Sequence, residues 1–158
     1  MTKVATVFFA SLLFFGGCAS RAPKVSKTVF VSINAHKIKF ADMGFLDEFE
    51  NKKSLEVYAL GAPVFKISFD DFVCIDSGCM EKAEFVGEYI SKALYGDLMN
   101  DVLSKKPLKV ESVFTKSENG FIQEAKTDDY DIVYKVDERE IYFFEKISGF
   151  KFVARFVD

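Results

Sequence analysis

The feature that most constrains this chain is a two-residue rhythm of apolar side chains, recurring from Thr28 to the C-terminus and broken twice. The stretch "TVFVSIN" (28–34) sets Val29, Val31 and Ile33 on one face, and "HKIKF" (36–40) continues with Ile38 and Phe40. "SLEVYAL" (54–60) places Leu55, Val57 and Ala59 together, and "VFKISF" (64–69) does the same with Phe65, Ile67 and Phe69 before "FVCID" (72–76). Alternation of this kind marks strands with one buried face. Gly61 and Pro63, and the pair Asp70-Asp71, punctuate the runs as short connections. "ADMGFLDEFENKKS" (41–54) lacks the rhythm, carries Gly44 and a charged cluster, and reads as a loop or short helical turn.

The rhythm changes after the middle. From Met80 to Leu94, Ala83, Val86, Ile90, Ala93 and Leu94 fall at spacings of three and four, the stripe of one amphipathic helix. Gly96 interrupts, and Leu98, Met99, Val102 and Leu103 suggest a second short helix stopping before Pro107. Alternation then returns in 108–114, 120–126, 130–136, 141–147 and 150–157, separated by "SENG", "TDDYD", "DERE" and Gly149. The domain holds 15 of the 19 phenylalanines and all six tyrosines, a content that favours sheet and a bulky interior. The expected class is α+β: about five strands, one or two helices, then about five strands, in an antiparallel meander with a mid-chain helical insertion.

The N-terminus speaks to compartment. "MTKVATVFFASLLFFGGCAS" has a basic start at Lys3 and a mostly apolar run from Val4 to Phe15, then Gly16, Gly17 and Cys18. Twelve residues are too few to span a bilayer and suit the core of a secretion signal. The small pair before a cysteine resembles the lipobox of bacterial lipoproteins, with Phe15 where that pattern prefers Leu. The resemblance implies a signal peptide over 1–17, removal of that piece, and an acyl (palmitate-type) anchor on Cys18 that holds the protein to a membrane. It further implies a cell-envelope location; Ala19, where some bacteria read Asp as an inner-membrane signal, leans to the outer membrane facing the periplasm. Residues 18–27, polar and containing Pro23, read as a lipidated tether reaching at most about 30 Å. Loss of Lys3 shifts the net charge from −3 to −4, so charge gives no case for binding nucleic acid.

In an oxidising compartment Cys74 and Cys79, spaced C-x-x-x-x-C, read as a disulfide staple. So small a loop stabilises by only about 2 kcal/mol. Free thiols remain an alternative; a redox centre would favour C-x-x-C, and a metal site needs more ligands than two thiols and a distant His36.

Three stretches carry a resemblance to the LolA/LolB family of lipoprotein carriers and receptors. "LEVYALGAPVFKISFDDFVCI" looks like paired mid-sheet strands around a glycine turn, and "GEYISKALYGDLMNDVLSKKPL" like the helical lid segment. "DYDIVYK" and "REIYFFEKISGFKFVARFVD" are similar to the closing strands. The chain departs from the family in lacking a clear first helix and in carrying the cysteine pair. The resemblance implies that 28–158 forms a single LolB-like half-barrel, an incomplete barrel of antiparallel strands with the helices laid over its mouth as a lid. It implies an apolar cavity for lipid or for the acyl chains of other lipoproteins. Lining candidates are Val57, Phe65, Ile67 and Phe69 from the first sheet half, Val86, Ile90 and Leu94 from the lid, and Ile132, Tyr134, Phe143 and Phe152 from the second half. In a receptor-like reading Leu60, or Phe45 and Leu46, would project to touch membrane or cargo.

The alternative is a structural or protein-interaction module with a filled core and no ligand. No nucleophile turn or phosphate loop is present, so the chain is read as a non-enzyme without cofactor or metal. His36 reads as a strand residue, and Asp70, Asp71, Asp76, Asp128, Asp129 and Asp131 as turn residues whose side chains bond nearby backbone.

Overall fold

A computed structural model describes residues 22–76 and 78–157. The expected signal peptide 1–17 and the lipidation site Cys18 lie outside these residues. Among the described residues, eleven strands form one antiparallel sheet. The first six are β1 (Val25–Asn34), β2 (Lys39–Glu48), β3 (Lys53–Ala59), β4 (Ala62–Phe69), β5 (Phe72–Ile75) and β6 (Gly78–Glu81). Two short helices follow, α1 (Lys82–Tyr89) and α2 (Leu98–Leu103). The second half is β7 (Val113–Ser117), β8 (Gly120–Lys126), β9 (Asp131–Val136), β10 (Glu140–Glu145) and β11 (Phe150–Phe156).

The order across the sheet is β6-β5-β4-β3-β2-β1-β11-β10-β9-β8-β7. Each half is a meander, and the halves join where β1 pairs antiparallel with β11, Val29 opposite Phe156 and Ile33 opposite Phe152. The outermost strands β6 and β7 do not pair, so the barrel is not closed. A twisted sheet of this many strands curls. The helical segment joins its two outermost strands and meets both halves on one face. Phe85 of α1 packs edge-on to Phe69 of β4 at 5.9 Å between ring centres, and the Tyr134 hydroxyl of β9 donates to the Val102 carbonyl of α2 at 3.2 Å. One contiguous core results, fed by the inward rows of nearly every strand and by both helices.

Four expectations need correction. The stretch 41–48 is strand, not loop: Gly44 belongs there because a Cβ would meet the Glu56 carbonyl oxygen at 2.4 Å, the close backbone approach that a strand glycine permits. β1 starts at Val25, so the expected tether loses its last three residues to the sheet. Met80 lies in β6, which makes six strands before the helices, and the expected helix 80–94 is helical only over Lys82–Tyr89. Ser91 stops it, since its hydroxyl donates to the Asp129 carbonyl and accepts from the Ala93 amide, competing with the helical ladder. Finally, 108–112 is not strand. The buried Gln123 amide takes the place of a strand partner, accepting from the Leu108 N–H at 2.7 Å and donating to its carbonyl at 2.9 Å.

Candidate functional site

The candidate lining residues come together. All eleven belong to or pack against the single core, on β3, β4, α1, the segment after it, β9, β10 and β11. They are packed rather than spaced. Val86, Tyr134 and Phe143 have no accessible surface, and Val57, Ile67, Ile132 and Phe152 have 1%. A side chain without accessible surface borders no space that water could enter. Aromatic contacts fill the middle: Phe85 stacks on Tyr89 at 4.9 Å, and Tyr134 meets Phe121 at 5.4 Å and Phe143 at 6.2 Å. Burial pushes the Tyr134 phenol well above its usual range, in keeping with a dry interior. Tyr95 closes the lower helix: its hydroxyl donates to Asp101 at 2.9 Å and accepts from the Lys109 amide at 3.2 Å.

Open space reaches two of these residues at the end of the sheet near the β3–β4 turn. A groove of about 430 Å³ has Val57 and Phe65 in its floor with Phe40 and Ile75, and Lys37, Asp42 and Asp76 among its rim. That volume lies within the range of small-ligand pockets. Phe40 and Phe65 stack at 4.4 Å between ring centres, tilted by 46°. Lys37, in the β1–β2 turn, pairs with Glu88 of α1 and so bridges the groove rim to the helix. Asp76 accepts from the Lys66 amide at 3.2 Å. A second groove, about 530 Å³, touches Ile132 but is rimmed by charge, including Glu111, Glu124, Lys126, Asp131 and Lys146. There Asp131 sits below the usual carboxylate range, chiefly because Lys146 donates to it at 2.7 Å.

The same end carries the most exposed apolar residue among those described. Leu60 and Gly61 form the two-residue β3–β4 turn, both with positive φ, 53° and 81°, the backbone of a type I′ hairpin. Asn or Gly suits that first position; a leucine there is conformationally unfavourable. Its side chain is 107% exposed relative to the reference state. Met43, opposite the end of β3, and Val64 of β4 are exposed nearby. Of the other projecting candidates, Leu46 is buried, because it lies on the inward row of β2 with Gly44. Phe45 is 41% exposed on the outer face, edge-on to Tyr58 at 5.6 Å. His36 is exposed in the β1–β2 turn, not in a strand.

Cys74 and Cys79 face one another across β5 and β6, Cα to Cα 4.0 Å, and are bonded. The bond clamps the outermost hairpin beside α1. Sequence pattern did not single out Phe40 and Ile75 as site residues, nor Lys37; the apolar alternation at Ile38 and Phe40 was the available signal.

Comparison with protein-family models, curated proteins and solved structures found no match to this chain.

Proposed function

We propose that the chain is a lipid-anchored envelope protein that engages hydrocarbon, a lipid tail or the acyl chain of another lipoprotein, at the β3–β4 end of an otherwise solid domain. The role is LolB-like. The lid over the half-barrel is then a fixed plug, and guest chains use the groove it leaves uncovered. The observation that carries this reading is the pairing on one hairpin of a fully exposed Leu60, held in an unfavourable backbone, with an aromatic-floored groove at its base. Solvating such a leucine gains nothing for folding, so its benefit lies in contact with something else. Each methylene laid against Phe40, Val57, Phe65 and Ile75 contributes about 0.8 kcal/mol.

Anchoring at Cys18 would also orient the domain. With Cys18 acylated, six residues separate the anchor from Val25, a reach of at most about 25 Å. Strand β1, ten residues or about 33 Å long, then separates the anchored end from the hairpin end. The hairpin faces away from the anchor, and its guest arrives from the aqueous side.

A test is displacement of an apolar fluorescent dye by a diacylated lipopeptide, with the full-length protein held in nanodiscs. Phe65→Ser and Phe40→Ser are expected to weaken the lipopeptide at least tenfold against the parent protein. Equal displacement in parent and variants would overturn the groove. The packed interior also favours a second reading, a filled interaction module with no lipid ligand; a Leu60-dependent protein contact without any displaceable dye would select it.

A further inference from the structure

The Cys74–Cys79 bond lies on the face of its hairpin that the core does not use. Val73 is buried, Ile75 and Met80 pack against the interior, and strand alternation turns both cysteines to the opposite face. There Cys74 is half-buried and Cys79 is exposed, on a strand at the outer edge of the sheet. The backbone ladder continues on either side of the bond, Val73 opposite Met80 and Ile75 opposite Gly78, so strand pairing does not depend on it. Segment 72–81 carries two acids, Asp76 and Glu81, and no lysine or arginine. A thiolate gains nothing from such surroundings, so the pair is placed to be attacked rather than to attack.

The bonded loop also forms part of the groove, because Ile75 and Asp76 line it. Asp76 ties the hairpin to β4 twice: its amide donates to the Lys66 carbonyl at 2.9 Å, and its carboxylate accepts from the Lys66 amide at 3.2 Å. Lys66 directly follows Phe65 of the groove floor. Asp76 holds a positive φ of 50°, which a residue other than glycine keeps only where its surroundings fix it. The disulfide, spanning Cys74 to Cys79, is one of the constraints that do so.

We infer that Cys79 Sγ is a site of thiol–disulfide exchange with a reducing dithiol, and that opening the bond frees the Ile75–Asp76 wall of the groove. In the first step a thiolate of the dithiol bonds to Cys79 Sγ. The Cys74–Cys79 bond breaks, and Cys74 leaves as a thiolate that takes up a proton. In the second step the dithiol's other sulfur, having lost its proton, attacks its partner sulfur in the mixed disulfide and expels Cys79, which is protonated in turn. Two electrons pass to the hairpin and the dithiol leaves as its own disulfide. The consequence is local. Strand β6 has four residues and, among the described residues, a neighbouring strand on one side only, so without the cross-link it opens at low cost. The exchange site stands on local geometry; only its effect on a guest rests on the acyl-chain reading.

The experiment treats the full-length chain in non-ionic detergent with dithiothreitol, and follows Cys74 and Cys79 by alkylation and peptide mass. Opening within about a hundredfold of the rate for the isolated, oxidised peptide 70–81 is expected, and any slower rate marks a protected staple and overturns the site. Amide hydrogen exchange then compares the oxidised and reduced forms. The Lys66 and Asp76 amides are expected to exchange about tenfold faster or more when reduced, and equally so in the double variant Cys74→Ser/Cys79→Ser, with Phe143 and Phe152 unchanged. Unchanged exchange at Lys66 and Asp76, or faster exchange throughout the chain, overturns the local release. Finally, diacylated lipopeptide is expected to displace the apolar dye more weakly from the reduced form, by about fivefold. Equal displacement from both forms overturns the link to the guest. No displacement from either form counts against the acyl-chain reading alone, because rate and exchange are read without lipopeptide.

Discussion

The two ends of the first half of the sheet differ in what they expose. At the end where β1 begins, charges meet: Lys53 pairs with Glu48 at 3.1 Å, Lys24 reaches Glu50 at 3.9 Å, and Lys27 and Lys105 share Phe156. At the β3–β4 end, Leu60 is fully exposed on the turn, and the groove that Phe40, Val57, Phe65 and Ile75 help to line lies at the same end. Between them the interior is full. The contrast teaches that a helical plug can fill the middle of a curled sheet and still leave apolar surface open to solvent at one end, the surface that the proposed function uses.

Several changes would break or sharpen that contrast. The largest effect is expected in the interior that separates the ends. Phe143→Ala removes a side chain with no accessible surface and should cost about 4 kcal/mol by chemical denaturation; a cost below about 2 kcal/mol would mean a loose interior able to admit a guest. At the charged end, Gly120→Ala should cost about 3 kcal/mol, since the new Cβ would fall 1.8 Å from the Val136 carbonyl oxygen of the neighbouring strand.

Glu145→Gln should cost about 2 kcal/mol at neutral pH. Burial alone would raise this carboxyl, but amide donors from Asp131 at 2.9 Å, Ile147 at 3.0 Å and Ser148 at 2.6 Å outweigh it and hold the group below the usual carboxylate range. A depressed folded value means the stabilisation is complete above the unfolded value of about 4.3 and is lost as pH falls through the folded one. The stability gap between parent and variant should therefore be constant from pH 8 to about 5 and close in stronger acid; a gap that widens in acid would refute the assignment. The smallest effect is at the tip. Leu60→Asn should leave stability unchanged or raise it by about 0.5 kcal/mol, by relieving the positive φ, while it lowers lipopeptide engagement. A clear loss of stability would show that Leu60 serves the fold.

Much of this fold was legible because most of its strands have one buried face, and a period of two survives single-sequence reading. Val29, Val31 and Ile33 on β1, and Phe150 and Phe152 on β11, announce themselves. What was lost depends on partners distant in sequence. Gly44 reads as a breaker until the Glu56 carbonyl is known to lie against it, and Gln123 reads as an ordinary polar strand residue until Leu108 is found on its amide. Helix α1 was overextended because Val86, Ile90 and Leu94 are all buried, although only the first lies in helical backbone. For the site, apolar pattern picked residues that share one interior, yet pattern cannot distinguish a lining residue from a packed one. That difference is set by the volume of neighbours such as Phe85, Phe121 and Phe150, which the alternation does not weigh. Leu60 was visible as an apolar residue beside a turn, and its exposure follows from the two-residue hairpin.

The most direct measurement is site-specific photocrosslinking from the full-length protein expressed in bacterial cells, where the proposed anchoring at Cys18 can occur, with a benzophenone side chain placed in turn at Leu60, Phe65 and Ile147. Ile147 is 60% exposed on the β10–β11 turn, outside the groove lining, and serves as the control. Adducts carrying an acyl chain at 60 and 65 and none at 147 are the expected result. Equal labelling at all three positions, or acylated adducts at none, would contradict the assignment of hydrocarbon handling to the Leu60 turn and the groove beside it.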